Sequence, residues 1–300
     1  MSEYLITGAN GFIGRRLVER FAAAGARGTL LCRRVPEKVP SGFAWEMWRA
    51  GRSVTLPAAG PDACVLHLAT IHHVERPDAA ALASFDEVNV RGTRQLLADC
   101  AAAGIQRFIY FSSIKAASPA SSTKALTEAH PADEPPNTDY GRSKLAAEQC
   151  VREWAAASKG RSAVIVRPAV VYGSGNTANL YALVDAIARS RFFLAGRNDN
   201  YKSLVAVGNV VAAVEHLAAL MQPGVELFYL VDRETYTVAE IAAMIARALG
   251  QTGNFRSLPV PLLRAAAGWE SCSRWWRWSP SRCPSKGAWW RGWEQGLESP

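Results

Sequence analysis

Thr7-Gly8-Ala9-Asn10-Gly11-Phe12-Ile13-Gly14 follows a strand-like apolar run at 4–7 and leads directly into helix-forming residues at 14–24. Three glycines spaced three apart at such a junction have separate uses. Gly8 permits a tight turn, Gly11 lets the backbone approach a pyrophosphate, and Gly14 lets the helix pack close to the strand. The phosphates then rest on the N-terminal amides of that helix, and Asn10, Phe12 and Ile13 complete the loop around them. A glycine triplet elsewhere in a chain is an ordinary turn; its place between the first strand and the first helix makes it a dinucleotide-binding loop.

Working outward, strand-like runs recur at 29–32, 64–68, 108–112 and 163–166, and helical periodicity fills 90–103, 143–157 and 180–189. A later strand and helix fall at 228–231 and 238–249, with Thr237 as N-cap and Gly250 at the helix end. This alternation predicts an α/β fold: a Rossmann-type doubly wound parallel sheet with a smaller C-terminal substrate-binding lid, and ligands at the carboxyl ends of the strands. The expected division is a nucleotide-binding domain over 1–170, a lid interleaved with the sheet over 171–268, and an atypical tail over 269–300.

The chain has 300 residues, 49% of them hydrophobic and 20% charged, which excludes disordered, collagenous and coiled-coil classes. Lys and Arg number 34 against 26 Asp and Glu, a net charge of +8. The basic residues form no run of five, so the charge points to an anionic cofactor or substrate and not to nucleic acid. Six cysteines show no CxxC and no metal-ligand spacing; four (Cys32, Cys64, Cys100, Cys150) sit in apolar segments, as suits reduced thiols in a cytoplasm. The N-terminus lacks a signal-peptide pattern, and no apolar stretch is long enough to span a membrane.

An Asp or Glu at the end of the second strand holds the ribose 2′-hydroxyl in NAD-selective folds. Here Cys32 stands at that place, followed by Arg33 and Arg34. Two guanidinium groups attract a 2′-phosphate that a carboxylate would repel, which favours NADP over NAD. The alternative is a solvated strand end, with the adenosine held through its phosphates.

Tyr140-Gly141-Arg142-Ser143-Lys144 puts a phenol and an ammonium one helical turn apart on one face. A neighbouring cation favours the phenolate, and with a nicotinamide nearby the phenol can take a proton from an alcohol as hydride leaves its carbon. Ser112-Ser113 ends an upstream strand, from which a hydroxyl can reach the same substrate oxygen.

These elements resemble the extended short-chain dehydrogenase/reductase superfamily, in particular its NAD(P)-dependent sugar epimerase/dehydratase branch. The motifs are TGANGFIG at 7–14, HLAT at 67–70, NVRGT at 89–93, YFSSI at 110–114, YGRSK at 140–144 and RPAVVYG at 167–173, in family order over about 3–250. The resemblance implies Tyr140 as general base and acid, Lys144 as its partner and nicotinamide-ribose ligand, and Ser113 as donor to the substrate oxygen, with Ser112 the second choice. It also implies that Leu68 and Ala69 line the cofactor, that Asn89 buttresses the site, and that Arg167 and Pro168 pass beneath the nicotinamide. For a nucleotide-diphospho-sugar, a UDP-sugar substrate by this resemblance, it implies Asn179 at a helix start and Lys202 as a diphosphate clamp, with Arg197 nearby; Lys202 is equally read as surface charge. A homodimer through helices 90–103 and 143–157 is implied as well.

The chain departs from the pattern in two places. The VYG usual after the serine motif is Ala116-Ala117-Ser118, and the acidic residue usual after the third strand is absent around Gly51-Arg52-Ser53. His67 reads as a packed strand residue. His72 and His73 face a pocket mouth, and their spacing indicates no metal.

Seven of the ten tryptophans fall in the last 32 residues, a stretch with no helical or strand period. Because Trp has one codon, the other frames can be read: one gives Val and Ala or Glu for the Trp-Trp-Arg-Trp run at 275–278, and with GC-rich codons it turns 269–278 into Leu-Gly-Lys-Leu-Leu-Ala-Val-Val-Ala, an ordinary amphipathic segment. Residues 269–300 therefore read as an out-of-frame continuation, the rival being a genuine aromatic-basic tail. The expected activity is epimerisation of a nucleotide-diphospho-sugar at C4, in polysaccharide or O-antigen synthesis. An NADPH-dependent reductase and a catalytically silent NADP-binding protein are the alternatives. A 4,6-dehydratase is disfavoured because Ile114 and Lys115 follow the serines.

Overall fold

The structure, a computed structural model, describes residues 2–57, 60, 62–71, 78–117, 126–129, 135–176, 179–196, 198 and 200–259. His72, His73, Arg197 and the tail 269–300 lie outside the described residues. The chain forms two compact units: Met1–Ala169 with Val207–Val231, and Val170–Ala206 with the residues from Asp232 onward.

The first unit is built on strands β1 (Glu3–Thr7), β2 (Arg27–Cys32), β3 (Phe43–Met47), β4 (Cys64–His67), β5 (Arg107–Phe111), β6 (Ser162–Pro168) and β10 (Gly224–Leu230). They form one seven-stranded sheet in the order β10-β6-β5-β4-β1-β2-β3, and every neighbouring pair is parallel. The order reverses between β1 and β4, so a crevice opens beyond Thr7 and His67, the place where such sheets bind ligands. The central strands are apolar without alternation because helices cover both faces: Leu5, Ile6, Val65, Leu66, Ile109 and Ile165 are all fully buried. Those helices are α1 (Phe12–Ala23), α3 (Gly92–Ala102), α4 (Asp139–Ala156) and α6 (Val207–Leu220), while the short α2 (Ala79–Ser84) has no buried residue.

The first unit is discontinuous, and its return segment carries α6, which the helical periodicities read from the sequence do not mark. Residues 207–231 rejoin the sheet: α6 buries Val210, Val211, Val214 and Ala218 beside α1, and β10 pairs with β6 over seven residues. β3 had no sequence signal either. It is an edge strand whose side chains are only partly buried, so its composition lacks the apolar run of a central strand.

The second unit pairs β7 (Val170–Tyr172), β9 (Tyr201–Ala206) and β11 (Thr235–Thr237), and couples the short β8 (Leu194–Ala195) and β12 (Ser257–Leu258). Helices α5 (Asn179–Ala188) and α7 (Val238–Ala248) pack on it through Leu180, Val184, Ile187, Ile241 and Ile245. Thr237 caps α7 in a capping box with Glu240, as its position predicts. Among the described residues no helix is long and apolar enough to cross a membrane.

Candidate active site

The glycine loop leaves β1 at the crevice, and α1 begins on Gly11 with no side-chain cap and no acidic residue in its first turn. Its free N–H groups therefore face outward with the positive end of the helix dipole, an anion site made of backbone. The loop has no room for side chains. A Cβ on Gly14 would lie 2.3 Å from Gly8 O, and one on Gly8, whose φ is +71°, would lie 2.8 Å from Ala69 N. Gly8, Asn10, Gly11, Arg33, Arg34, Leu68 and Ala69 line a cleft of about 850 Å³. Thr70, Ile71, Trp48, Arg49, Arg52 and Glu87 line it too, and none of these six was singled out as a site residue from sequence. An uncapped helix start, a backbone cradle that excludes Cβ atoms and an elongated cleft fit a dinucleotide.

Phe12, Ile13 and Gly14 belong to the first turn of α1 and do not line the cleft, nor do Asn89, Ser112, Lys144 and Pro168. Asn89 works from behind it. This residue sits in a π-helical stretch, Phe85–Arg91, that runs into α3. Its Oδ1 accepts from Thr70 Oγ1 at 2.9 Å and Ile71 N at 2.9 Å, and its Nδ2 donates to Ser143 Oγ at 3.0 Å. The loop after β4 is thereby tied to the catalytic helix.

Below this link, buried His67 holds Thr7 Oγ1 at 2.6 Å and Thr93 Oγ1 at 3.0 Å. Burial, with Lys144 adding, pushes its pKa down to about 3, so the imidazole is neutral and structural, as its strand position predicts.

The phenol of Tyr140 is close enough to the side chains of Ser113 and Thr70 for both to favour its ionised form. Two local features bring Ser113 there. The 3₁₀ turn Ile114–Ala117 follows β5, and Gly141 packs against it so closely that a Cβ would lie 2.3 Å from Lys115 O. Thr138 then caps α4 by accepting from Gly141 N at 3.0 Å. Ser112 is turned the other way: its hydroxyl donates to buried Glu148, which also receives a bidentate pair from Arg167 at 2.8 and 2.6 Å. Pro168, next to Arg167, is buried at the end of β6.

The tyrosine–lysine electrostatics differ from the sequence expectation. Burial pushes the Tyr140 phenol up to about 12, the hydroxyls of Ser113 and Thr70 opposing it only partly. Lys144 is fully buried, and its pKa falls to about 7 because desolvation outweighs the attraction of Glu148. Its Nζ donates to Phe111 O at 2.5 Å and lies 4.4 Å from the centre of the Tyr110 ring. In the cofactor-free chain, low dielectric dominates and a phenolate is not favoured. The two residues expected to meet the substrate belong to the second unit: Lys202 is exposed on β9, and Asn179 opens α5, its side chain outside the described ones.

A Rossmann sheet with a glycine loop at its switch point, and a Ser–Tyr contact one turn from a buried lysine, define a dinucleotide-dependent enzyme of the extended short-chain dehydrogenase/reductase type. The model of the NAD dependent epimerase/dehydratase family matches residues 4–230, and the chain belongs to that family. It is 33% identical over 264 residues to the N-acetyl-alpha-D-glucosaminyl-diphospho-ditrans,octacis-undecaprenol 4-epimerase of Escherichia coli O157:H7, covering 86% of this chain and 76% of that protein. It is 32% identical over 278 residues to the ceramide reductase of Caulobacter vibrioides, covering 89% and 78%. The solved structure of MoeE5 in complex with UDP-glucuronic acid and NAD superposes with a TM-score of 0.71 at 26% identity, covering 85% of this chain and 88% of that one.

Proposed function

We propose that this chain is an NAD(P)-dependent 4-epimerase of a sugar carried on a diphosphate, with a nucleotide-diphospho-sugar as the first substrate class to test. The observation that carries the reading is the placing of buried Tyr140 beside Ser113 and Thr70, on a helix tied by Asn89 to the cofactor cleft. The similarity to an undecaprenol-diphosphosugar 4-epimerase and to a UDP-sugar complex supports it. So does the family order of the motifs.

Gly8, Gly11, the start of α1, Leu68 and Ala69 would hold the dinucleotide. When bound, the nicotinamide supplies the hydride acceptor and donor for the sugar carbon. Tyr140 accepts the sugar hydroxyl proton and returns it on the opposite course. Ser113 donates to the same oxygen, and Thr70 orients the phenol. Lys144 is the cation that makes a phenolate accessible once its ammonium is retained, and Glu148 is the carboxylate that favours that charge. The second unit serves as substrate lid, with Asn179 and Lys202 on the diphosphate.

The reading further includes a homodimer through α3 and α4, checked by light scattering, and a cytoplasmic location that suits four buried free thiols. It takes residues 269–300 as an out-of-frame continuation. Translating the gene in its other frames tests this, and the absence of a periodic segment in both refutes it.

A second reading, an NADPH-dependent reductase of a ketosugar or other carbonyl, is favoured by the arginines of the cleft and by the similarity to a ceramide reductase. One assay separates the two. Purified protein is incubated with UDP-glucose, UDP-N-acetylglucosamine and their 4-epimers: interconversion without added cofactor supports the epimerase, whereas NADPH consumption with a ketosugar supports the reductase. Retention of either activity in Tyr140→Phe overturns the assigned base.

A further inference from the structure

The far end of the cleft carries an excess of positive charge that the proposed chemistry does not use. Arg33 and Arg34 follow β2, while Arg49 and Arg52 follow β3, and all four line the cleft. Glu87 is the one carboxylate lining it among the described residues. All four side chains are exposed, and among the described residues none of the four guanidinium groups has a carboxylate partner that would neutralise it. Like charges gathered around one cleft from two neighbouring strand ends repel one another, and an anion between them relieves that repulsion.

The backbone explains how they meet. β2 and β3 are parallel with Cys32 opposite Met47, and Trp48 N donates to Cys32 O at 3.0 Å. The two strands therefore end level, and their next residues emerge side by side. The 49–52 turn is also held in place. Arg52 N bonds Arg49 O at 3.2 Å, and Asp99 accepts from Ser53 Oγ at 2.7 Å and Val54 N at 3.1 Å. Ala50 sits against Gly92, where a Cβ would lie 2.7 Å from Ala50 Cβ. Asn10 Nδ2 donates to Arg34 O at 3.1 Å and fixes the other turn to the glycine loop. Both backbones are thus set before any ligand arrives, which limits the entropy lost on binding.

We infer that the turn carrying Arg49 and Arg52 is a phosphomonoester clamp that closes on the 2′-phosphate of NADP from the β3 side, opposite Arg33 and Arg34. This rests on the reading that the cleft binds a nicotinamide dinucleotide. The pyrophosphate of such a ligand is already met by the amides of α1, and the end of β2 is where the adenosine ribose hydroxyls lie in this fold. No carboxylate takes the 2′-hydroxyl there, since Cys32 stands in its place as a buried thiol. A phosphomonoester brings nearly two negative charges at neutral pH and three acceptor oxygens, which arginine forks bind in pairs.

The test is calorimetric titration of the full chain with 2′,5′-ADP and with 5′-AMP, at low and at moderate salt, in wild type, Arg49→Ala/Arg52→Ala and Arg33→Ala/Arg34→Ala. Circular dichroism serves as the folding control. In wild type 2′,5′-ADP binds at least about tenfold more tightly than 5′-AMP, and the gap narrows as salt rises. In Arg49→Ala/Arg52→Ala that preference falls to within about twofold of unity while 5′-AMP affinity is retained. Equal binding of the two nucleotides by wild type overturns the clamp and leaves the dinucleotide reading standing. Persistence of the preference in Arg49→Ala/Arg52→Ala overturns it too, and assigns the phosphate to Arg33 and Arg34 alone. Binding of neither nucleotide by a folded protein overturns the dinucleotide reading together with the clamp.

Discussion

In the proposed reaction the chemistry narrows to Tyr140, Ser113 and Thr70, and each is testable as a residue. Tyr140→Phe removes only the hydroxyl, so the fold and cofactor binding persist while turnover falls by at least about 10²-fold, the scale of losing a general acid–base group. Steady-state assay beside a nucleotide titration checks both halves. Lys144 offers a second prediction, in stability. Its folded pKa of about 7 lies below the ordinary lysine value of 10.5, so burying the ammonium is fully unfavourable below pH 7. Between pH 7 and about 10 the unfolded chain binds the extra proton, and folding gains stability as pH rises. The cofactor-free Lys144→Met variant is therefore more stable than wild type at pH 6, and its advantage shrinks steadily toward pH 9. Thermal melts of both proteins across that range measure the difference, and a constant difference contradicts it.

At the scale of elements, α4 is the part that assembles the site, because it carries Tyr140 and Lys144 and receives β5, β6 and the 3₁₀ turn against one face. Two contacts set its position. Gly141→Ala forces a methyl group into the Lys115 carbonyl, displacing Ser113 from Tyr140, so activity falls with a loss of stability of about 1–3 kcal/mol. Urea denaturation and turnover on the same preparation read both. The Glu148–Arg167 pair joins α4 to β6, with each side chain under one-tenth exposed. Glu148→Ala strands a buried guanidinium and costs about 3–5 kcal/mol, whereas Glu148→Leu/Arg167→Met recovers much of that loss. A double variant no more stable than Glu148→Ala contradicts a charge-pair account. Both contacts were hidden in sequence: YGRSK and RPAVVYG were legible as motifs, but nothing in their spacing tells which neighbour Gly141 touches or that Glu148 answers Arg167.

For the whole molecule, binding and stability are linked through the sheet unit. A dinucleotide at about 100 times its dissociation constant adds about 2.7 kcal/mol to folding stability, which thermal shift in the presence of NAD and NADP measures. If the arginine clamp is correct, NADP gives the larger shift, and moderate salt reduces its lead.

The sequence alone determined the Rossmann class, the glycine loop and the family, and it made the Ser–Tyr–Lys motifs legible, because these rest on local rules. A turn that needs glycine, a helix face with period near four and apolar strands buried on both sides are all written in consecutive residues. The tertiary structure decided what depends on neighbours distant in the chain. It returned 207–231 to the sheet and made Asn89 the tie between Ile71 and Ser143. It gave Tyr140 a raised pKa in place of the lowered one that the adjacent lysine suggests, since burial outweighs a charge that is itself desolvated. It also set Arg49 and Arg52 beside Arg33 and Arg34. Parallel pairing of β2 with β3 brings those turns level, and strand pairing, unlike a turn or a helix face, is fixed by residues the local sequence does not contain.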